Sequence, residues 1–431
     1  MESESMMSWW SRVTLEAGAV IVLTPLLMIL ATVFLGLGAG CARRDDEGIV
    51  IWEQMDPEEQ KLLDARIATF QQLHPDVKVR RLHFETEQLR TNFQTAGLAG
   101  GGPCLVFGPS DQIGPFSIMR LIRPLDELMG EEFFSEFIEG SLDTLGGHIY
   151  AVPDQVGNHL ALLYNKRFVK TPPATSDELI ALARKNTVDE NRDGITDRYG
   201  LVFNAVEPFW LVPFLGGFGG WVMDKNAHPT LDSEAMVKAL GFVADLRTKY
   251  AVIPKECDYQ QAETLFKEGR AAMMINGPWS WGGYISAGID IGLAPIPRNS
   301  STGLWPSPMV SSKGYSVNAH CPEKKLEVVK ELLDFLTSTE NQLESARKIK
   351  MLPARRAAYD SLLAEGDAIL AGSMAQVKLG RRMPVVPEMR AVWDTMRPAY
   401  QNVLNGEITA ERAAAGMQKA AVEAIAKMKE E

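Results

Sequence analysis

Cysteine is scarce in this chain. Four occur in 431 residues, at 41, 104, 257 and 321. No two stand in a CxxC pair, which removes support for a zinc ribbon or a redox motif. The six histidines (His74, His83, His148, His159, His228, His320) form no HExxH or related ligand spacing. No GxSxG elbow is present, and no Gly-Lys-Ser/Thr phosphate loop follows the glycine-rich Gly216–Gly220. Cations are in the minority. Lys and Arg total 44 against 55 Asp and Glu, and the net charge of −11 comes without a long basic run. Nucleic acid and anionic lipid surfaces are therefore poor partners. Hydrolase, metalloprotease and nucleotide-driven activities find no motif to rest on, and no cofactor is expected.

What the chain has begins with Ala17–Gly40, a run without charge. It exceeds the about 7–15 residues of an ordinary signal-peptide core and is long enough to span a bilayer. It closes on Gly38-Ala39-Gly40 and then Cys41, which resembles a bacterial lipobox cleaved before a lipid-modified cysteine. Gly38 stands where such boxes prefer Leu, and Arg12 is the single cation among three acids before the run. Two readings stay open: acylation of Cys41, or an uncleaved anchor over residues 17–40. Both place residues 42–431 outside the cytoplasm and tethered to a membrane. Cys104, Cys257 and Cys321 are odd in number, so at least one is unpaired within a monomer. All three are read as small buried hydrophobes.

Length and composition suit two globular domains. Ile49–Trp52 is a strand-type apolar run. A helix follows over 58–73, with Glu58 and Glu59 at its electropositive start and Pro75 after its end. Val77 and Val79 alternate into the next strand, and Cys104–Phe107 gives another. Residues 160–164 and 271–275 read as strands. Residues 233–250, 260–267, 326–336 and 411–429 read as helices. Strands alternating with helices predict an α/β fold with right-handed crossovers. The Gly/Ser/Pro-rich stretch 297–312 is long enough to carry the chain between domains.

Six blocks, in order, resemble the family 1 extracellular solute-binding proteins of ABC importers, the maltose/maltodextrin-binding group among them. They are IVIWEQMD (49–56), LVFGPSDQIGPF (105–116), AVPDQVGNHLALLYNK (151–166), LVFNAVEPFW (201–210), AAMMINGPWSW (271–281) and RMPVVPEMRAVWDTMRPA (382–399). The resemblance implies a two-lobed periplasmic-binding-protein fold of type II, each lobe a sheet flanked by helices, joined by a multi-strand hinge. A first lobe of 49–155 plus 315–363 and a second of 159–310 plus 369–431 are expected after a tether over 41–48. Crossings would fall near 155–159, 310–314 and 363–368. It further implies a monomeric receptor on the periplasmic or extracellular face of the cytoplasmic membrane. Such a receptor closes over a carbohydrate, by expectation an oligosaccharide, and delivers it to permease subunits and their ATPase.

The same blocks supply the ligand residues that the resemblance implies. They are Gln54 and Asp56 after the first strand, Asp111, Asn158, Glu207, Phe209, Trp279, Trp393, Asp394 and Arg397. Sugar C–H faces pack on aromatic rings, and hydroxyls need polar partners in a desolvated cleft, with carboxylates the strong acceptors. Trp279 and Trp393 match the stacking tryptophans and are placed on the second lobe; Asp56 and Asp111 are placed on the first. Gly108, Pro57, Asn158 and Asp394 stand where the family has Trp, Lys, Glu and Tyr, which removes one stacking platform and one cation. Trp52, Trp210 and Trp281 are assigned to packing, and Trp305 to neither role. Alternatives remain. The acids suit a polyamine, a glycerol phosphate would demand clustered Arg, and Asp111 with Glu207 imitates a glycosidase pair. Asp189, Asn191, Asp193 and Asp197, with Gly194, match the opening of a calcium loop, but residue 200 is glycine where a bidentate acid is needed. A solvated Asx turn is the preferred reading there.

Overall fold

A computed structural model of the protein describes residues 48–430. The apolar run 17–40 and Cys41 lie outside the described residues. Among the described residues no helix is long and apolar enough to cross a membrane.

The strands, in chain order, are β1 (Ile49–Glu53), β2 (Val79–His83), β3 (Leu105–Pro109), β4 (Thr144–Leu145), β5 (His148–Ile149), β6 (Val152–Val156) and β7 (Ala161–Asn165). There follow β8 (Tyr199–Val202), β9 (Ala271–Asn276), β10 (Ile291–Ala294), β11 (Met309–Val310), β12 (Ser312–Val317), β13 (Leu352–Pro353) and β14 (Arg381–Arg382). They build a six-stranded sheet ordered β13-β6-β12-β3-β1-β2 and a four-stranded sheet ordered β10-β7-β9-β8, with two short pairs, β4-β5 and β11-β14. Each large sheet has its own core, and the fold is two-lobed.

In the first lobe β1 pairs in parallel with β2 and β3, as two βαβ crossovers require. The intervening helices are Pro57–Leu73 and Thr86–Leu98. The first starts on Asp56 with Pro57 at its opening position, and the Asp56 N–H donates to Glu59 Oε2 at 3.0 Å. Its Leu63, Ile67 and Phe70 join Ile51, Leu105, Phe107 and Tyr315 in the core. In the second lobe β9 is buried at every position, which is why AAMMIN reads as one continuous apolar run. Helices Glu234–Arg247 and Glu388–Leu404 pack on each other and supply Leu240, Val243, Met396 and Tyr400 to the same core.

The chain leaves the first sheet at Val156 and joins the second at Ala161. Gly157 takes φ +81° between them, a conformation that glycine adopts without strain. β11 and β12 bring the chain back. A third passage turns at Gly366, φ +70°, and Asp367 then caps the helix Ala368–Val377, which packs on β10.

One expectation is overturned. Cys104 and Cys321 form a disulfide, with Cα atoms 4.7 Å apart. They stand 217 residues apart in sequence, so spacing gave no hint. The cause is topological: Leu105 of β3 faces Val317 of β12 across an antiparallel ladder, and Cys104, just before Leu105, meets Cys321 after the turn that follows β12. Cys257 is buried and unpaired, as a small hydrophobe would be.

Candidate ligand-binding site

The 388–404 helix presents Arg390, Trp393, Asp394 and Arg397 at i, i+3, i+4 and i+7, which is one helical face. The Trp393 indole N–H donates to Asp111 Oδ2 at 3.2 Å. Asp111 comes from the first lobe, in the single turn Ser110–Gln112 directly after β3. Arg397 lies along Glu207, with Nε and Nη2 donating to its two oxygens at 2.9 and 3.1 Å. Glu207 precedes the turn Pro208–Trp210, which leaves Phe209 half-buried between two indoles. Its ring is 6.3 Å from Trp393 and 6.5 Å from Trp279.

Trp279 opens the helix Pro278–Ser286, just beyond β9. A Cβ on Gly277 would sit 2.1 Å from its ring, so the glycine lets the indole fold back. Trp210 stands edge-on to Trp279 at 6.3 Å and donates to the Ile275 carbonyl at 2.9 Å. Tyr259 is 6.2 Å from Trp210, and its hydroxyl donates to Asp56 Oδ2 at 2.9 Å. The result is an aromatic arc of Tyr259, Trp210, Trp279, Phe209 and Trp393. Asp56 closes one end and Asp111 the other, both from the first lobe.

Both carboxylates feel their burial. It pushes Asp56 up to about 7, helped by Glu59 and Glu263 and opposed by Lys313 and the Tyr259 hydroxyl. Burial also pushes Asp111 up to about 7, with Glu87 adding to it and the Trp393 N–H opposing. Arg90 Nη2, 3.3 Å from Asp111 Oδ2, supplies a counter-charge. Asp111 Oδ1 is buried and has no partner on another residue. Unpaired buried acceptors are rare enough to need a reason.

Asp111, Glu207, Phe209, Trp279, Trp393 and Arg397 thus come together, with Asp56 at the far end of the arc. Gln54 sits next to Asp111's turn, accepting from Gln112 Nε2 at 3.4 Å. Asn158 does not join the arc: its backbone and side-chain nitrogens both bind Ser311, at 2.8 and 3.3 Å, across the interlobe passage. Asp394 is half exposed and turned onto Arg390 at 2.9 Å. Trp210 and Trp281 are buried as packing residues, Trp52 lies 4.9 Å from Phe84, and Trp305 is exposed. In the 189–197 loop, Asp189 and Asp197 accept from backbone N–H groups of residues 190–194, and Asp193 accepts from that of Ile195. The oxygens of the calcium-like pattern are engaged in Asx turns.

Sequence reasoning missed Glu87, Arg90, Tyr259 and Arg390. The helical spacing of 390, 393, 394 and 397 was a usable signal for Arg390. Glu87 and Arg90 share the 86–98 helix and Tyr259 opens another, each far in sequence from a residue it meets across the cleft or beside Asp111, and nothing local marks them.

Comparison with known proteins adds the family. Residues 65–372 match the model described as bacterial extracellular solute-binding protein. A maltotriose-binding protein of Pyrococcus abyssi is 31% identical over 60% of this chain, and the aligned stretch spans 56% of that protein's length. A galactooligosaccharide-binding protein of Bacillus subtilis is 26% identical over 81% of this chain and 83% of its own. Among solved structures, the maltose/maltodextrin-binding domain MalE from Bdellovibrio bacteriovorus bound to maltotriose superposes with a TM-score of 0.86. It is 45% identical and covers 88% of this chain and 99% of its own.

Proposed function

Because the chain belongs to the bacterial extracellular solute-binding proteins, we propose that it is the receptor subunit of an ABC importer and captures an oligosaccharide of the maltodextrin type between its lobes. The observation that carries this reading is the aromatic arc ended by Asp111, whose Oδ1 has no partner on another residue. Trp279 and Phe209 offer faces to sugar rings, and Asp111 offers an acceptor to a hydroxyl. The lobes would comprise 49–155 plus 315–363 and 159–310 plus 369–431. The passages at Gly157 and Gly366 and the switch from β11 to β12 support those limits.

The polyamine reading loses ground. Glu207 and Asp394 already hold Arg397 and Arg390, and Asp111 has Arg90, so little uncompensated negative charge is left for a polycation. Arg397 holds both oxygens of Glu207, so Asp111 lacks a second free carboxylate to complete a glycosidase pair, and we propose no catalysis. Tethering through Cys41 is part of the proposal and rests on the lipobox resemblance. The disulfide fits an oxidising, extracytoplasmic setting.

A thermal-shift series with maltotriose, galactooligosaccharide, spermidine and glycerol phosphate tests the reading, since a ligand bound by the native state alone raises Tm. Maltotriose is expected to raise it and to be recovered at unchanged mass. A response to spermidine alone would sink the sugar reading, and shortened sugar would restore the enzyme.

A further inference from the structure

Glu87 lies in the first turn of the 86–98 helix, on the first lobe, and three guanidinium groups surround it. Arg390 Nη1 reaches Oε2 at 2.8 Å, Arg397 Nη2 reaches Oε1 at 3.3 Å, and Arg90 Nη1 is 3.4 Å from Oε1. Arg390 and Arg397 belong to the second lobe. Their other carboxylate partners, Asp394 and Glu207, belong to it too. Those pairs survive any separation of the lobes. The pairs with Glu87 do not. Within this cluster, the pairs that depend on the closed arrangement all run through Glu87; Arg382 and Asp143 form a separate pair, 3.1 Å apart.

A second contact on the same edge is steric. Gly114 of the first lobe abuts residues 385–387 of the second, where a Cβ would lie 2.3 Å from the Val385 carbonyl oxygen and 2.7 Å from Pro387 N. No other side chain fits without moving backbone. The edge is shaped for close approach at Gly114 and held by charge at Glu87.

We propose that Glu87 is a positioning residue for capture. By gripping Arg390 and Arg397 it sets the closed population and fixes the Arg397 guanidinium in the cleft. The proposal rests on the carbohydrate-receptor reading above. A neutral sugar gives its own contacts little dependence on ionic strength. Glu87 is 45% exposed, so its pairs are screened by salt. A salt dependence of sugar affinity thus reports the latch and not the ligand.

The test is calorimetry of maltotriose binding to the full-length protein at low and high salt, for wild type, Glu87→Gln, Glu87→Asp and Gly114→Val. Circular dichroism confirms that each variant is folded. Wild-type affinity should fall several-fold with salt. Glu87→Gln should bind roughly fivefold more weakly at low salt, with a flat salt response, as loss of two half-exposed pairs implies. Glu87→Asp should recover part of the slope. Gly114→Val should bind weakly at every salt concentration. Wild-type affinity and slope in Glu87→Gln would overturn the latch and leave the receptor intact. Absence of maltotriose binding by wild type would overturn the receptor reading. The latch would then be decided by small-angle scattering without ligand: a smaller radius of gyration at low salt in wild type than in Glu87→Gln supports it, and equal radii overturn it.

Discussion

Trp279 and Trp393 differ in how much of each ring is still available to a ligand. Trp279 is half-buried and packs partly against Leu62, Ile349 and Met351. Trp279→Ala should weaken sugar binding by about 1–3 kcal/mol in calorimetry, as loss of a stacking platform does. Trp393 is 6% exposed and belongs to the second core. Its replacement by Ala would also cost about 3–5 kcal/mol of stability, so Trp393→Phe is the cleaner probe. It deletes the N–H bond to Asp111 and keeps most of the ring. Asp56 separates stability from binding in another way. Its carboxyl is raised to about 7 in the folded protein, above its ordinary value near 3.9. The stability it contributes is complete below the unfolded value and is lost as pH rises through 7. Asp56→Asn keeps a helix cap and an acceptor for Tyr259. It should therefore be more stable than wild type at pH 8 by about 1–2 kcal/mol, after allowing for partial exposure, and show a higher Tm. The gap should close as pH falls towards 4.

Among the elements, the interlobe passage at 157–159 carries a titration of opposite sense. His159 is fully buried, and burial pulls its imidazole down to about 4, against a smaller contribution from the Gly157 carbonyl. Its stabilising effect is present above the unfolded value near 6.5 and is lost as pH falls towards 4. His159→Gln should flatten that acid loss in thermal melts, whereas Asp56→Asn acts on the alkaline side. The strands and helices were largely legible in the sequence, because β1, β3 and β9 are apolar runs and the 57–73 helix has acids in its first turn and Pro75 just past its end. The Cys104–Cys321 bridge was not legible, since it depends on which strands pair. Reduction, or Cys104→Ser with Cys321→Ser, should lower unfolding free energy by about 2–5 kcal/mol. Denaturant titration with and without dithiothreitol measures it, and no change would mean that the ladder between β3 and β12 suffices alone. The cleft divides along the same line. Trp279, Trp393 and Arg397 sit in local blocks that a sequence reveals. Arg90 and Glu87 matter through contacts to residues 111, 390 and 397, and only the folded chain brings these together.

For the molecule as a whole, the proposed function turns on two lobes that share one ligand. A ligand shifts an open–closed equilibrium only by its difference in affinity for the two states, and hinge closure is the established motion of periplasmic binding proteins. Here the difference has a structural source. The proposed stacking rings Phe209, Trp279 and Trp393 are carried by the second lobe, whereas Asp56 and Asp111 are carried by the first. On the proposed reading, a sugar seated on the rings would reach the Asp111 acceptor only when the lobes approach, and the Trp393 N–H then also meets Oδ2 of the same carboxyl. Asp111→Ala removes both the acceptor and the cross-lobe bond. Saturating maltotriose should reduce the radius of gyration of wild type in small-angle scattering. The same ligand should close Asp111→Ala less completely and bind it about tenfold to a hundredfold more weakly, the range expected for losing a charged hydrogen-bond partner. If the scattering profile of wild type stays fixed while maltotriose binds tightly, capture does not proceed by closure. If Asp111→Ala closes and binds like wild type, the acceptor lies elsewhere on the arc, and Asp56 beside Tyr259 becomes the residue to replace.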